Sequence, residues 1–411
     1  MPTIRFARMD RYSKMCSILA IIRSLLIAAL QPVPAGIESP WRLKLFTMLI
    51  MVGVALEPYT PKILKKIFDK GSRESMRAAG PNVPYADTTF DGVPVRVYSD
   101  EQMGKNACKR PGIVYFHGGG WRYGHVDMAH SVTAEMARTL DAVVVSVEYR
   151  LTPKYLFPSS IDDCTKATVS FLQCLQEFNV DPARVAVMGE SAGGNLAAAV
   201  SQRLAFDPKY KELPKLKMQI LLYPCLQAFD FQTPSYQQNR NLLTVVIDIN
   251  IMAECWAVYL NNRPSLKHQM TSNKHTSVKA KGSPLVKKCL SHDLIPDEFK
   301  KRGYFAPSTD FGDEGIYNDI KGVLLDPDYA PLMREDLRGL PEAYILTAEY
   351  DVLRDDGIMY AKRLEKAGVP VTWKHYEKGF HAMFSTKNGP LTSPSGDVAV
   401  ADFFEFAGRS L

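Results

Sequence analysis

Along most of the chain, short apolar runs alternate with longer stretches in which apolar residues recur every three or four positions. The first kind predicts strands and the second helices. Val93-Pro94-Val95-Arg96-Val97-Tyr98 alternates apolar and polar side chains, the period of a half-buried strand, with Pro94 near its start. Gly112–Phe116, Ala142–Val147, Val185–Met188 and Gln219–Pro224 are further strand-like runs. The β-branched run Ala142–Val147 is typical of a parallel strand buried on both faces. Asp162–Glu177 and the Ala- and Leu-rich Ala192–Ala205 read as helices between them. Strand followed by helix, repeated, predicts an α/β fold with a mostly parallel sheet flanked by helices.

The pattern breaks after Pro224. From about Gln227 to Arg338 the chain is polar, charged and aromatic with few strand-like runs, which predicts a mainly helical insertion. The sheet pattern resumes at Ala343–Thr347 and Val371–Tyr376. A helix over Gly357–Ala367, ended by Gly368, lies between them, and a last helix runs from Asp397 towards Phe406. The expected organisation is one α/β domain in two parts, residues 86–226 and 339–411. A cap is expected from residues 36–85 and 227–338, with a hydrophobic segment over 1–35.

That first segment has a recognisable layout. Arg5, Arg8, Arg11 and Lys14 precede the apolar stretch Met15–Leu30, as in a signal peptide or signal anchor. The stretch falls short of the ~20 residues of a spanning helix and Arg23 interrupts it, while Val33-Pro34-Ala35 permits cleavage after Ala35. A retained anchor is the leading expectation. A cleaved signal and an amphipathic soluble segment are the alternatives. Basic residues before an anchor favour a cytosolic N-terminus and a translocated domain. Leu45–Leu56 is too short to span and reads as a buried or interfacial helix.

Composition excludes more than it assigns. With 411 residues, 46% hydrophobic and 23% charged, the chain can bury a large core. A net charge of +6 without a dense Lys/Arg run interleaved with aromatics implies no nucleic-acid partner. None of Cys16, Cys108, Cys164, Cys174, Cys225, Cys255 and Cys289 forms a CxxC or metal-like cluster, so zinc and thiol-redox chemistry are poor readings. The odd count leaves at least one thiol without an intramolecular partner.

The chemistry-bearing residues lie where the predicted strands end. Gly189-Glu190-Ser191-Ala192-Gly193 follows one strand and opens a helix, which fits a nucleophile elbow. His117-Gly118-Gly119-Gly120 follows another and fits a loop whose bare backbone N–H groups face an oxyanion. Gly119 and Gly120 are the favoured donors there, with Gly118 not excluded, and the Ala192 N–H completes the set. His117 reads as a residue bracing the loop. An acid and then a histidine should follow the serine in the chain. Asp351 and His381 stand after the two last predicted strands and fit, with Asp355 or Asp356 and His375 as rivals. Asp355 and Asp356 read as acidic residues at a helix start, and His375 as a strand residue. The set implies acyl transfer through Ser191, without a metal or cofactor.

With these motifs in hand, the chain resembles the hormone-sensitive-lipase class of α/β hydrolases, and within it the arylacetamide deacetylase family. The resemblance rests on His117–Trp121, Tyr149-Arg150-Leu151-Thr152-Pro153-Lys154, Gly189–Ala199, Leu222-Tyr223-Pro224, Tyr350–Gly357, Gly379-Phe380-His381 and Pro40-Trp41-Arg42, and so covers nearly the whole chain. It implies the α/β-hydrolase fold, hydrolysis of small-molecule esters, amides or lipids, and a single-pass type II anchor in the endoplasmic reticulum membrane with a lumenal catalytic domain. Thr152 stands where the family more often has Ala, and Arg23 weakens the anchor. Within catalysis, a neutral-lipid or sterol-ester lipase is the alternative to an esterase or amidase of small aryl substrates. Phe229, Phe231, Tyr236, Trp256 and Tyr259 are candidates either to line an acyl pocket or to fill the cap core. Outside catalysis, a non-catalytic small-molecule or lipid-binding protein on the same fold is the alternative, since fold does not guarantee activity.

Overall fold

The computed structural model describes residues 22, 30, 32–38, 40–45, 47–48, 73–76, 78, 80–99, 108–240, 247–385 and 392–411. Nearly all of the expected anchor and most of Leu45–Leu56 lie outside the described residues. Among the described residues no helix is long and apolar enough to cross a membrane.

Among the described residues, eight strands form one sheet: β1 Tyr85–Phe90, β2 Val93–Tyr98, β3 Arg110–Phe116, β4 Val143–Val147, β5 Val180–Glu190, β6 Met218–Leu222, β7 Glu342–Tyr350 and β8 Val371–Phe380. Their order is β1-β2-β4-β3-β5-β6-β7-β8. β1 pairs antiparallel with β2, and β2 with β4; every other pairing is parallel. The pleat sends alternate side chains to two separate cores. On β3, Val114 and Phe116 enter one and Ile113 and Tyr115 the other.

Helices cover both faces. α1 His130–Leu140 precedes β4, α2 Ser159–Gln173 precedes β5, and α3 Ala192–Phe206 leaves β5 directly. Among the described residues, six short helices lie between β6 and β7: α4 Pro234–Asn239, α5 Ile249–Tyr259, α6 Lys267–Thr271, α7 Val278–Lys281, α8 Pro284–Leu290 and α9 Glu314–Leu324. α10 Arg354–Lys366 joins β7 to β8, and α11 Pro394–Ser410 closes the described chain. α1 and α11 pack together on one face, while α2 and α3 pack together on the other. Local chemistry starts several of these helices. Asp248 accepts the Ile251 N–H at 2.8 Å at the head of α5, and Asp313 accepts the Ile316 N–H at 2.9 Å at the head of α9.

Two elements have no counterpart among the predicted ones. β1 is Tyr-Ala-Asp-Thr-Thr-Phe, exposed except at Phe90, so its strand state comes from pairing with β2 rather than from its own pattern. α1 buries His130, Thr133, Ala134, Met136 and Ala137, a face carried by small and polar residues as much as by apolar ones. The aromatic residues of the insertion resolve in one direction. Phe229, Phe231, Tyr236, Trp256 and Tyr259 are at most 3% exposed and belong to one core cluster, so they fill the cap core.

Candidate active site

β5 delivers Ser191 to the carboxyl edge of the sheet, and α3 carries the chain away. Ser191 has φ 54° and ψ −119°, a conformation that costs an L-residue about 1–3 kcal/mol. The surroundings over-determine it. The Ser191 N–H donates to the Leu222 carbonyl at 2.9 Å, and a Cβ on Gly193 would sit 2.0 Å from the Phe116 carbonyl oxygen. The turn therefore fits only because β3 and α3 touch without a side chain between them.

Ser191, His381 and Asp351 come together from the ends of β5, β8 and β7. His381 Nδ1 lies 2.7 Å from Asp351 Oδ2, and His381 Nε2 lies 3.0 Å from Ser191 Oγ. A carboxylate at Nδ1 fixes the proton there, so Nε2 is left to accept the hydroxyl proton. Asp351 is itself held, since its Oδ1 accepts the Leu353 N–H at 2.8 Å. All three side chains are buried, Ser191 the least so at 8% exposed.

The glycine loop lies beside Ser191 because β3 and β5 are neighbours, with Phe116 opposite Gly189. Gly119 and Gly120 take φ of 117° and 62°. Among the described residues, neither their N–H groups nor that of Ala192 is spent on a hydrogen bond. Ala192 opens α3, where the first N–H groups have no partner within the helix and favour negative charge. Gly118 also helps to fix the turn: its carbonyl accepts a 2.7 Å hydrogen bond from His117 Nδ1, and its Cα faces the Glu190 side chain. His117 stacks on Tyr149 at 4.3 Å, and burial pulls its imidazole down to about 4, so it braces the loop as a neutral ring.

The rivals have other work. His375 bonds Thr347 Oγ1 at 3.0 Å from within β8. Asp355 and Asp356 do stand in the first turn of α10, but both are fully buried and hold the start of the insertion. Asp355 accepts the Ser235 N–H at 2.6 Å. Asp356 accepts from the Leu226 N–H at 2.8 Å and Gln227 Nε2 at 3.0 Å. Burial pushes the Asp356 carboxyl up to about 8 against those bonds. The helix-start reading thus understates both residues.

One residue passed unnoticed in the sequence. Glu190, the variable position of the elbow, accepts hydrogen bonds from Tyr115 at 2.9 Å, from Tyr223 at 2.7 Å and from Ser385. Tyr223 in turn packs against the His381 ring at 4.9 Å. Its partners lie 75, 33 and 195 residues away, so no local signal marks it.

Comparison with known proteins identifies the family. A family model described as the alpha/beta hydrolase fold matches residues 113–299 and 306–385. Neutral cholesterol ester hydrolase 1 of Rattus norvegicus is 38% identical over 398 residues, covering 92% of this chain and 95% of the relative. Arylacetamide deacetylase of Bos taurus is 40% identical over 376 residues, covering 87% and 91%. Among solved structures, a hyperthermophilic esterase from the archaeon Pyrobaculum calidifontis matches with a TM-score of 0.60 at 25% identity, covering 92% of this chain and 98% of that one. With this fold, and with relatives of that similarity over nearly its whole length, the chain belongs to the hormone-sensitive-lipase-type α/β hydrolases and is a carboxylic ester hydrolase of the serine type.

Proposed function

We propose that Ser191, His381 and Asp351 form the catalytic triad, and that Gly119, Gly120 and Ala192 supply the oxyanion donors. The observation that carries this reading is the unbroken hydrogen-bonded line from Asp351 Oδ2 through His381 to Ser191 Oγ. Ser191 Oγ attacks the ester carbonyl while His381 Nε2 takes its proton, and Asp351 stabilises the resulting imidazolium. The carbonyl oxygen gains its charge against the free N–H groups, a contribution of about 3–4 kcal/mol for one such donor. His381 then protonates the leaving alcohol. Water, deprotonated by His381, attacks the acyl-enzyme; the bond to Ser191 Oγ breaks, His381 returns the proton to Oγ, and the acid is released. None of these steps calls on a metal or cofactor.

The substrates proposed are apolar carboxylic esters and amides, with acylated sterols and aryl acetamides as the respective classes suggested by the relatives' names. We further propose that the segment around residues 15–30 anchors the chain in the endoplasmic reticulum membrane with the catalytic domain lumenal, on the basic-then-apolar order of its sequence.

The test is hydrolysis of p-nitrophenyl acetate, butyrate and palmitate, cholesteryl oleate and an aryl acetamide by full-length protein in microsomes, beside Ser191→Ala. Turnover abolished in Ser191→Ala supports the triad, and the substrate profile assigns the class. Wild type that neither turns over nor reacts with a fluorophosphonate at Ser191 would return the chain to the ligand-binding reading. Protease protection of the catalytic domain in sealed microsomes tests the topology; digestion without detergent refutes it.

A further inference from the structure

The helix that packs on the oxyanion loop comes from the insertion. α5 meets Gly120-Trp121-Arg122 through three residues of its own. A Cβ on Gly120 would lie 2.6 Å from Cys255 Sγ and 3.3 Å from Cys255 Cβ, so Cys255 is seated directly on the Gly120 backbone. Trp121 is fully buried and its ring lies 4.5 Å from that of Trp256. Arg122 donates to Glu254 at 3.0 Å. This ion pair is about one-third exposed and adds little energy, but it keeps the helix over the loop. Three consecutive loop residues thus each have a counterpart among the consecutive residues Glu254, Cys255 and Trp256.

We infer that Cys255 is a positioning residue for the oxyanion hole. Through its contact with Gly120, α5 fixes where the Gly120 N–H points, so that the hole is formed only while the cap is docked. The role is steric. Burial pushes the Cys255 thiol up to about 12, which keeps it a neutral wall rather than a competing nucleophile. The inference rests on the reading of Gly120 as an oxyanion donor. It adds that selectivity at this site is set partly from the cap, because a larger residue at 255 must push the loop and a smaller one must free it.

A compensating pair of substitutions tests it, using kcat and KM for p-nitrophenyl butyrate with full-length protein. Gly120→Ala forces a methyl group against Cys255, on top of the strain of a side chain at φ 62°, and should lower kcat about a hundredfold, the cost of one misplaced donor. Cys255→Ala removes the sulfur and by itself should cost about threefold in kcat at unchanged KM, by loosening the loop. The double variant should then be faster than Gly120→Ala alone, by about tenfold, because the two sites share one contact. Rates of fluorophosphonate labelling of Ser191 should follow the same order. A double variant no faster than Gly120→Ala overturns the inference. If Gly120→Ala fails to fold, Cys255→Met presses on the same contact from the cap side. Its kcat and labelling rate should fall together in protein that is still folded at the assay temperature, and an unchanged kcat overturns the inference. Either failure with Ser191→Ala inactive leaves the triad reading standing, whereas an active Ser191→Ala refutes the triad itself.

Discussion

Replacing Glu190 with Gln separates the support of the site from its chemistry. The carboxylate accepts from Tyr115 through Oε1, and from Tyr223 and Ser385 through Oε2. Burial first, and the Glu190 charge second, hold both phenols protonated well above their usual range, so they remain donors at any working pH. Gln has the same shape but only one acceptor oxygen. Placed at the Oε2 position, that oxygen still serves Tyr223 and Ser385, and the amide NH2 then faces the Tyr115 hydroxyl oxygen, leaving the phenol proton without its acceptor. A buried donor left without its acceptor costs about 1–3 kcal/mol, and two bonds that lose charge assistance cost about 1 kcal/mol each. Relief from burying a charge offsets part of this, leaving roughly 2–4 kcal/mol. Ser385 follows His381 in the same turn and Tyr223 packs on its ring, so the loss should reach the base. The expected result is a kcat for p-nitrophenyl butyrate lower by about ten- to a hundredfold, KM nearly unchanged, and a lower urea midpoint. Glu190→Gln within twofold of wild-type kcat, with the same midpoint, would refute the reasoning.

Asp351→Asn keeps the shape of the acid but favours the wrong imidazole tautomer; kcat should fall by about 10⁴ while circular dichroism and the melting temperature stay close to wild type. Gly193→Ala drives a methyl group to 2.0 Å from the Phe116 carbonyl, where neither β3 nor α3 has room to yield, and should destabilise by roughly 3 kcal/mol, read as a lower urea midpoint or loss of folded protein. His292 Nε2 lies 2.9 Å from Asp230; burial alone would lower its pKa, but the Asp230 hydrogen bond and charge more than reverse this and raise it. The pair therefore stabilises fully below the unfolded value of about 6.5 and loses that contribution as pH rises through the raised folded value, so the melting gap between wild type and His292→Gln should be wider at about pH 5.5 than at about pH 9.

The sheet was legible because buried parallel strands are written as local apolar runs. Val185–Met188 and Ala142–Val147 need no partner to be recognised. β1 was not, because five of its six residues face solvent and only β2 makes it a strand. The same division holds at the site. Ser191, Asp351 and His381 stand in local motifs after strands, and order along the chain singles them out. The distances between them, and the bonds of Glu190, Asp355 and Asp356, depend on residues thirty or more positions away. Phe229, Phe231, Tyr236, Trp256 and Tyr259 show the limit most plainly, since burial in a core and exposure in a pocket require the same aromatic composition.

The place where the six short helices enter the fold has a consequence for how such chains diversify. They depart after Leu222, the last residue of β6, and return at Glu342, the first of β7, and these two strands are hydrogen-bonded neighbours with Met218 opposite Glu342. Departure and return thus lie on adjacent strands about 4.8 Å apart, separated along the sheet only by the length of β6. A loop between such points can lengthen, shorten or be exchanged at a closure cost that grows only with the logarithm of its length. The sheet need not adjust its register for any of these changes. What an exchanged insertion must still supply is narrow: N–H donors matched to Asp355 and Asp356 at its root, and a helix face that fits the turn after β3. Lineages can therefore rewrite what is bound while inheriting how it is cleaved.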